Sequence, residues 1–99
     1  MTFLPISPRM RPKLADKARL RHDRKTGGTM LLYPERGLEL SATGADILRL
    51  CTGEHTVEAI VERLSAKYEG PPREVIEREV GAFLGSMLDR ALVRDVSDA

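Results

Sequence analysis

Tryptophan is absent, and two tyrosines and two phenylalanines are the only aromatic residues in 99. Any core must therefore be built from aliphatic side chains. The single cysteine, Cys51, excludes an internal disulfide and fits a reducing cytoplasm. One thiol also cannot ligate an iron–sulfur cluster, which takes several. His22 and His55 lie far apart, with no second His or Cys at ligand spacing, so no metal site is expected. No apolar run approaches the ~20 residues that span a bilayer. The first residues carry Phe3, Leu4 and Ile6, but Pro5 and Pro8 interrupt them, unlike a secretory signal. Gly27-Gly28 lacks the lysine and spacing of a phosphate-binding loop. Glu74, Glu77 and Glu79 read as a solvated helix face, with Arg73 and Arg78 pairing locally. No catalytic constellation emerges, and no cofactor is expected.

What is present suits one small globular domain. Hydrophobic residues make up 41% and charged residues 31%, enough for a core with a charged surface. The net charge is +1, but it is unevenly spread. Residues 1–25 hold eight basic and two acidic side chains, leaving eight basic and thirteen acidic for the rest. A basic front can meet an acidic partner or nucleic acid, or simply be solvated.

Residues 1–12 hold three prolines and no apolar periodicity, and they read as an N-terminal arm, flexible or docked on a partner. Residues 13–99 read as a single domain. Between Ala18 and Asp23, Leu20 and His22 alternate with Arg19, Arg21 and Asp23, a strand-like pattern. Lys25-Thr26-Gly27-Gly28 is a turn, and Thr29 to Tyr33 a second strand ended by Pro34. After Arg36-Gly37, Leu38-Glu39-Leu40 forms a third. Ser41 caps a first helix with Gly53 as its stop, and Thr56 caps a second that Gly70-Pro71-Pro72 ends. A third helix covers about residues 72–90. Its apolar positions, Val75, Ile76, Val80, Phe83, Leu84, Met87 and Leu88, form a stripe wider than one packing partner needs. Leu92, Val93 and Val96 suggest a last extended piece. The expected class is α+β: a three-stranded antiparallel sheet followed by a winged-helix-like three-helix bundle.

Two binding functions are open to such a chain. A winged helix that binds DNA needs a basic recognition helix. The third helix has three basic residues, Arg73, Arg78 and Arg90, against four acidic, Glu74, Glu77, Glu79 and Asp89. Phosphates would be repelled, which argues against nucleic acid. The other function is peptide capture by strand addition. Residues 30–50 place a short strand beside a turn and run it straight into a helix, as at a sheet edge. An extended peptide would bond to that edge and send side chains into a groove beside the third helix. Burial of the wide stripe by the sheet or by a second copy explains it equally well.

The ordered set Arg11-Pro12-Lys13-Leu14, Arg19-Leu20-Arg21, Leu31-Leu32-Tyr33-Pro34-Glu35, Leu38-Glu39-Leu40-Ser41, Ala45-Asp46-Ile47-Leu48 and Thr52-Gly53 resembles the PqqD family of pyrroloquinoline quinone biosynthesis. Thr56-Val57, Ile60, Leu64, Tyr68, Val80, Phe83-Leu84 and Leu88 extend the resemblance, which runs from Arg11 to about Val93. One departure is Ala91, where the family pattern usually has glycine. The resemblance implies the recognition-element fold of ribosomally made, modified peptides and a role as peptide chaperone, not enzyme. It implies the precursor peptide PqqA and the radical-SAM enzyme PqqE as partners. Main-chain contacts would then come from Arg36, Gly37, Leu38, Glu39 and Leu40. Val75, Ile76, Val80, Phe83 and Met87 are the groove candidates, some of which must fill the core. Arg73, with Arg78, would pair with acidic peptide residues. The apolar arm and the exposed edge leave a homodimer open.

Overall fold

A computed structural model describes residues 6–34 and 36–97. Phe3 and Leu4 of the expected arm lie outside these residues, as do Glu35, Asp98 and Ala99. The order of elements is β1 (Pro12–Leu14), β2 (Arg19–His22), β3 (Thr29–Tyr33), β4 (Arg36–Leu40), α1 (Ala42–Arg49), α2 (Val57–Lys67), α3 (Arg73–Asp89) and β5 (Val93–Asp95). Strands β2, β3 and β4 form a three-stranded antiparallel sheet in that order. The three helices follow it, giving the expected α+β architecture.

The alternation read from β2 places Leu20, Leu31 and Leu38 in one row across the sheet. Leu31 is completely buried, and Leu20 and Leu38 pack partly on the core. The opposite face carries Arg19, Arg21, Met30, Leu32, Gly37 and Glu39. Helix caps follow the sequence. Ser41 Oγ accepts the amide of Gly44 at 3.0 Å and Thr56 Oγ1 that of Ala59 at 3.1 Å. Each satisfies an amide that the first helical turn leaves without a partner.

A second sheet was not expected. Strands β1 and β5 pair antiparallel, with Lys13 opposite Arg94. On its other side β1 meets the segment after α1. Leu14 N donates to Cys51 O at 2.9 Å and Gly53 N to Pro12 O at 3.0 Å. These bonds explain why α1 stops at Arg49 rather than near Gly53. Residues 51–53 leave the helix to pair with β1. Gly53 takes φ +87°, a conformation costly for other residues.

The described part of the segment read as an arm is docked on the chain itself. Met10 O accepts from Val57 N at 2.9 Å, and Pro8 O from Glu58 N at 3.1 Å. These carbonyls cover amides of the first turn of α2. Pro12 is fully buried inside β1, so the boundary drawn after it falls within a strand. As the first residue of that strand, it tolerates having no N–H.

The core is aliphatic, as the shortage of aromatics demands. Ile47 and Leu48 of α1, Ile60 and Leu64 of α2, and Val80 and Leu84 of α3 meet Leu31, Leu92 and Val93. Cys51 joins them, and burial pushes its thiol up to about 12. Its Sγ lies 3.3 Å from Ile47 O as a weak donor. This is the chemistry of a small hydrophobe, not of a nucleophile.

Candidate functional site

The bonding register decides which atoms of β4 are free. Asp23 N donates to Gly28 O at 2.8 Å, continuing the β2–β3 ladder past His22–Thr29. In an antiparallel ladder, alternate residues turn both backbone groups to one neighbour. Residues 28, 30 and 32 therefore bond to β2, and residues 29, 31 and 33 bond to β4. Their β4 partners are Leu40, Leu38 and Arg36. The N–H and C=O of Gly37 and Glu39 are left pointing out of the sheet, of which β4 is one of the two edge strands and the one that leads into α1. Two donors and two acceptors are thus presented at the alternate spacing that an added strand requires.

Phe83 of α3 reaches the start of α1, the helix into which this edge strand runs. The ring stands so close to α1 that a Cβ on Gly44 would sit 3.0 Å from Phe83 Cε1. Gly44 lies in the first turn of α1, four residues beyond the end of β4. The absence of a side chain there lets the ring lie against the helix start. Phe83 is half-buried and packs partly on the core. Val75, Glu79 and Ser86 share its side of α3 by helical spacing. Sequence periodicity did not single out Glu79 and Ser86, because they are polar and only their position beside Phe83 marks them.

The other candidates on α3 separate. Ile76, Val80 and Met87 are 4%, 0% and 3% exposed and belong to the core. They face α2 and the sheet and offer no surface to a ligand. Ile76, Val80, Leu84 and Met87, more than half of the wide stripe, are thus spent on packing. Phe83 and Val75 remain as accessible apolar candidates. Arg73 is turned towards α2, with Nε 3.4 Å from Glu77 and NH1 4.0 Å from Glu62. Arg36, Gly37 and Glu39 are exposed on β4, whereas Leu38 and Leu40 lean on the core.

Polar contacts hold α1, and with it the end of β4, in place. Asp46 accepts from Lys67 Nζ at 2.9 Å, from Arg49 NH1 at 3.2 Å and from the Tyr68 hydroxyl. Burial alone would raise its carboxyl. The hydrogen bonds from Tyr68 and Lys67, with the charges of Lys67 and Arg49, outweigh burial and hold it below the ordinary 3.8. Arg49 also donates from NH2 to Thr29 Oγ1 at 3.0 Å, which ties α1 to β3.

Two shallow depressions flank the sheet. One of about 390 Å³ is lined by Thr26, Thr29, Met30, Glu39 and Ser41 at one end of the β3–β4 hairpin. The other, about 660 Å³, lies by β2 among Lys17, Arg19, Arg21 and Tyr33. Among the described residues, no three His, Cys, Asp or Glu side chains converge as metal ligands. No helix among them is long and apolar enough to cross a membrane.

Residues 28–93 match the family model of coenzyme PQQ synthesis protein D, PqqD. A protein of Methylococcus capsulatus named PqqA binding protein is 35% identical over 95 residues, covering 96% of this chain and 90% of that one. Its namesake in Bradyrhizobium diazoefficiens is 32% identical, covering 96% and 91%. The solution structure of the PqqD truncation of Methylobacterium extorquens PqqCD, a stand-alone recognition element for ribosomally made, modified peptides, superposes with a TM-score of 0.72. It is 28% identical over 84% of this chain and 87% of that one. TbiB1 in complex with the TbiA(beta) leader peptide gives a TM-score of 0.70 at 25% identity, over 83% and 94%. In sequence and in fold alike, the chain belongs to the PqqD family.

Proposed function

We propose that this chain is the peptide chaperone of pyrroloquinoline quinone biosynthesis. It takes the precursor peptide PqqA as a fourth strand on β4 and presents it to the radical-SAM enzyme PqqE. The observation that carries the reading is the pair of outward-pointing residues, Gly37 and Glu39, on a strand that runs directly into α1, where Phe83 lies against Gly44. Main-chain bonds at these two positions supply affinity that does not depend on sequence. Residues opposite Leu38 send their side chains inward, towards Phe83 and the exposed side of α3. The relatives named for PqqA binding, and a related fold holding a leader peptide, support the choice of ligand.

The role is ordering, not chemistry. A free precursor seldom presents its reacting residues to the enzyme's cleft. Holding its leader raises their local concentration to the millimolar scale of a short flexible link. No catalytic side chain is required of the chaperone, and the cytoplasm, where a lone buried thiol stays reduced, is the proposed compartment. A second copy pairing through β4 would occupy the same atoms. The peptide-binding form is therefore the monomer, and a homodimer through this edge would compete with it.

The test is an NMR titration of isotope-labelled protein with synthetic PqqA. The expected result is saturable shifts at Gly37 to Leu40 and around Phe83, with PqqE binding the loaded chaperone more tightly than the free peptide. A folded, monomeric protein that shows no shift would overturn the reading. Leader peptides of other modified-peptide pathways would then be tried on the same edge.

A further inference from the structure

The face of the sheet turned away from the core has a gap at the edge strand. Gly37 lies in a row with Leu32 and Arg19, and Glu39 with Met30 and Arg21. Where Gly37 has no side chain, a Cβ would lie 3.1 Å from Met30 Cε and 3.3 Å from Leu32 Cδ2. Those two methyl ends therefore lean across the bare backbone of Gly37 towards the open edge. Neither Met30 nor Leu32 packs on the core, and both are half-exposed. Flexibility does not account for the glycine, because it adopts no positive φ and any residue fits its backbone. A β-branched residue is the ordinary choice for such a strand position. What the glycine does provide is access to two apolar methyl groups.

We infer that Gly37, Met30 and Leu32 form a specificity subsite for one large apolar side chain of the bound peptide, on the face opposite the α3 groove. This deepens the proposed function and rests on its strand addition. A residue paired with Gly37 would bond through the free N–H and C=O of Gly37. Its side chain then falls on the face that Gly37 leaves empty, since paired residues project to the same side of a sheet. A large apolar group there covers the glycine and meets Met30 and Leu32, the cross-strand filling known to rescue glycine in sheets. A small or charged group leaves the two methyl ends in water. Edge and subsite together read two successive peptide residues on opposite faces, one against Phe83 and one over Gly37.

The experiment pairs the protein with synthetic PqqA and an alanine scan of that peptide. Binding is measured by calorimetry, and contacts by methyl-labelled NMR. Intermolecular NOEs are expected from the Met30 ε-methyl and the Leu32 δ-methyls to one apolar peptide side chain. Truncating that peptide residue to alanine weakens binding to the wild type by about tenfold, the scale of one apolar anchor. Gly37→Val keeps the N–H and suits a strand, but it fills the gap. It loses a similar factor for the intact peptide and almost nothing further for the truncated one. Gly37→Ala gives an intermediate loss and stands in should the valine variant melt early in urea. The subsite is overturned if the peptide binds with shifts at the Gly37 and Glu39 amides, yet neither methyl contacts it and Gly37→Val binds equally well; strand addition then survives alone. No binding by the wild-type protein overturns the subsite and the strand addition together.

Discussion

Two strands, β1 and β4, use their two sides in opposite ways. Strand β1 is bonded on both sides, to β5 and to residues 51–53, with Ala15 N to Leu92 O and Val96 N to Arg11 O extending the seam. Among the described residues, strand β4 is bonded on one side only, to β3. The first sheet locks the two ends of the domain onto the helices. The second is anchored by Leu31, by Arg49 on Thr29 and by the run of β4 into α1, and on β4 it turns a row of backbone groups outward. Open edges invite aggregation, and proteins blunt them with short strands and charges. Here β4 has five residues and carries Arg36 and Glu39.

A proline placed in each sheet tests this contrast most directly. Leu14→Pro removes the amide that bonds Cys51 O and truncates a half-buried leucine. It should cost about 3 kcal/mol or more in urea unfolding. Phe83→Ala comes next. The ring is only partly buried, so roughly 2 kcal/mol is expected, below the range for a fully buried phenylalanine. Its loss of peptide binding should exceed what that destabilisation explains, and a folded variant with unchanged affinity would place Phe83 outside the groove. Glu39→Pro removes an outward amide that bonds nothing among the described residues. Peptide affinity should fall at least about tenfold, while stability changes by less than about 1 kcal/mol. Equal destabilisation by the two prolines would end the distinction between the doubly bonded β1 and the open β4.

Smaller effects probe how each sheet is fastened. Asp46→Asn weakens the link from α1 to the end of α2 and should cost about 1 kcal/mol, since its cationic partners are more than half exposed. The Asp46 carboxyl lies below its ordinary 3.8 when folded. Its contribution is therefore present above that value and lost as pH falls through the folded one. Urea curves of wild type and variant should converge between neutral pH and about pH 2. The smallest change is a gain. Ala91 sits at φ +60°, just past α3. Leu92 N donates to Met87 O at 2.9 Å and Ala91 N to Leu88 O at 3.0 Å, closing a helix end that favours glycine. Ala91→Gly should raise stability by about 1 kcal/mol by removing that strain, with peptide binding unchanged.

Legibility from the sequence followed the range of the signal. Ser41, Thr56 and the alternation in β2 act on near neighbours, so the caps and the three-stranded sheet were readable. Strand β1 was not. Its partner lies some 80 residues away, and Pro12 at its start looks like a loop residue. The stripe on α3 showed that Ile76, Val80, Phe83 and Met87 are apolar, but spacing does not say which of them meets a neighbour. The departure at Ala91 was visible, while its left-handed backbone was not. The part played by Gly37 was hidden more deeply. A missing side chain gains meaning only once the register brings Met30 and Leu32 beside it.

Pairing the first strand with the last has a consequence for how the domain can be attached to other proteins. The first and last strands lie side by side at Pro12 and Asp95, and the residues just ahead of β1 dock on the start of α2. A tether ahead of Ile6 therefore starts from the α2 side of the domain and one after Ser97 from the β1–β5 seam, so neither starts at β4. Fusion through the front or the back should serve equally, and a circular permutant with new ends in the 23–28 turn should keep its receiving edge intact.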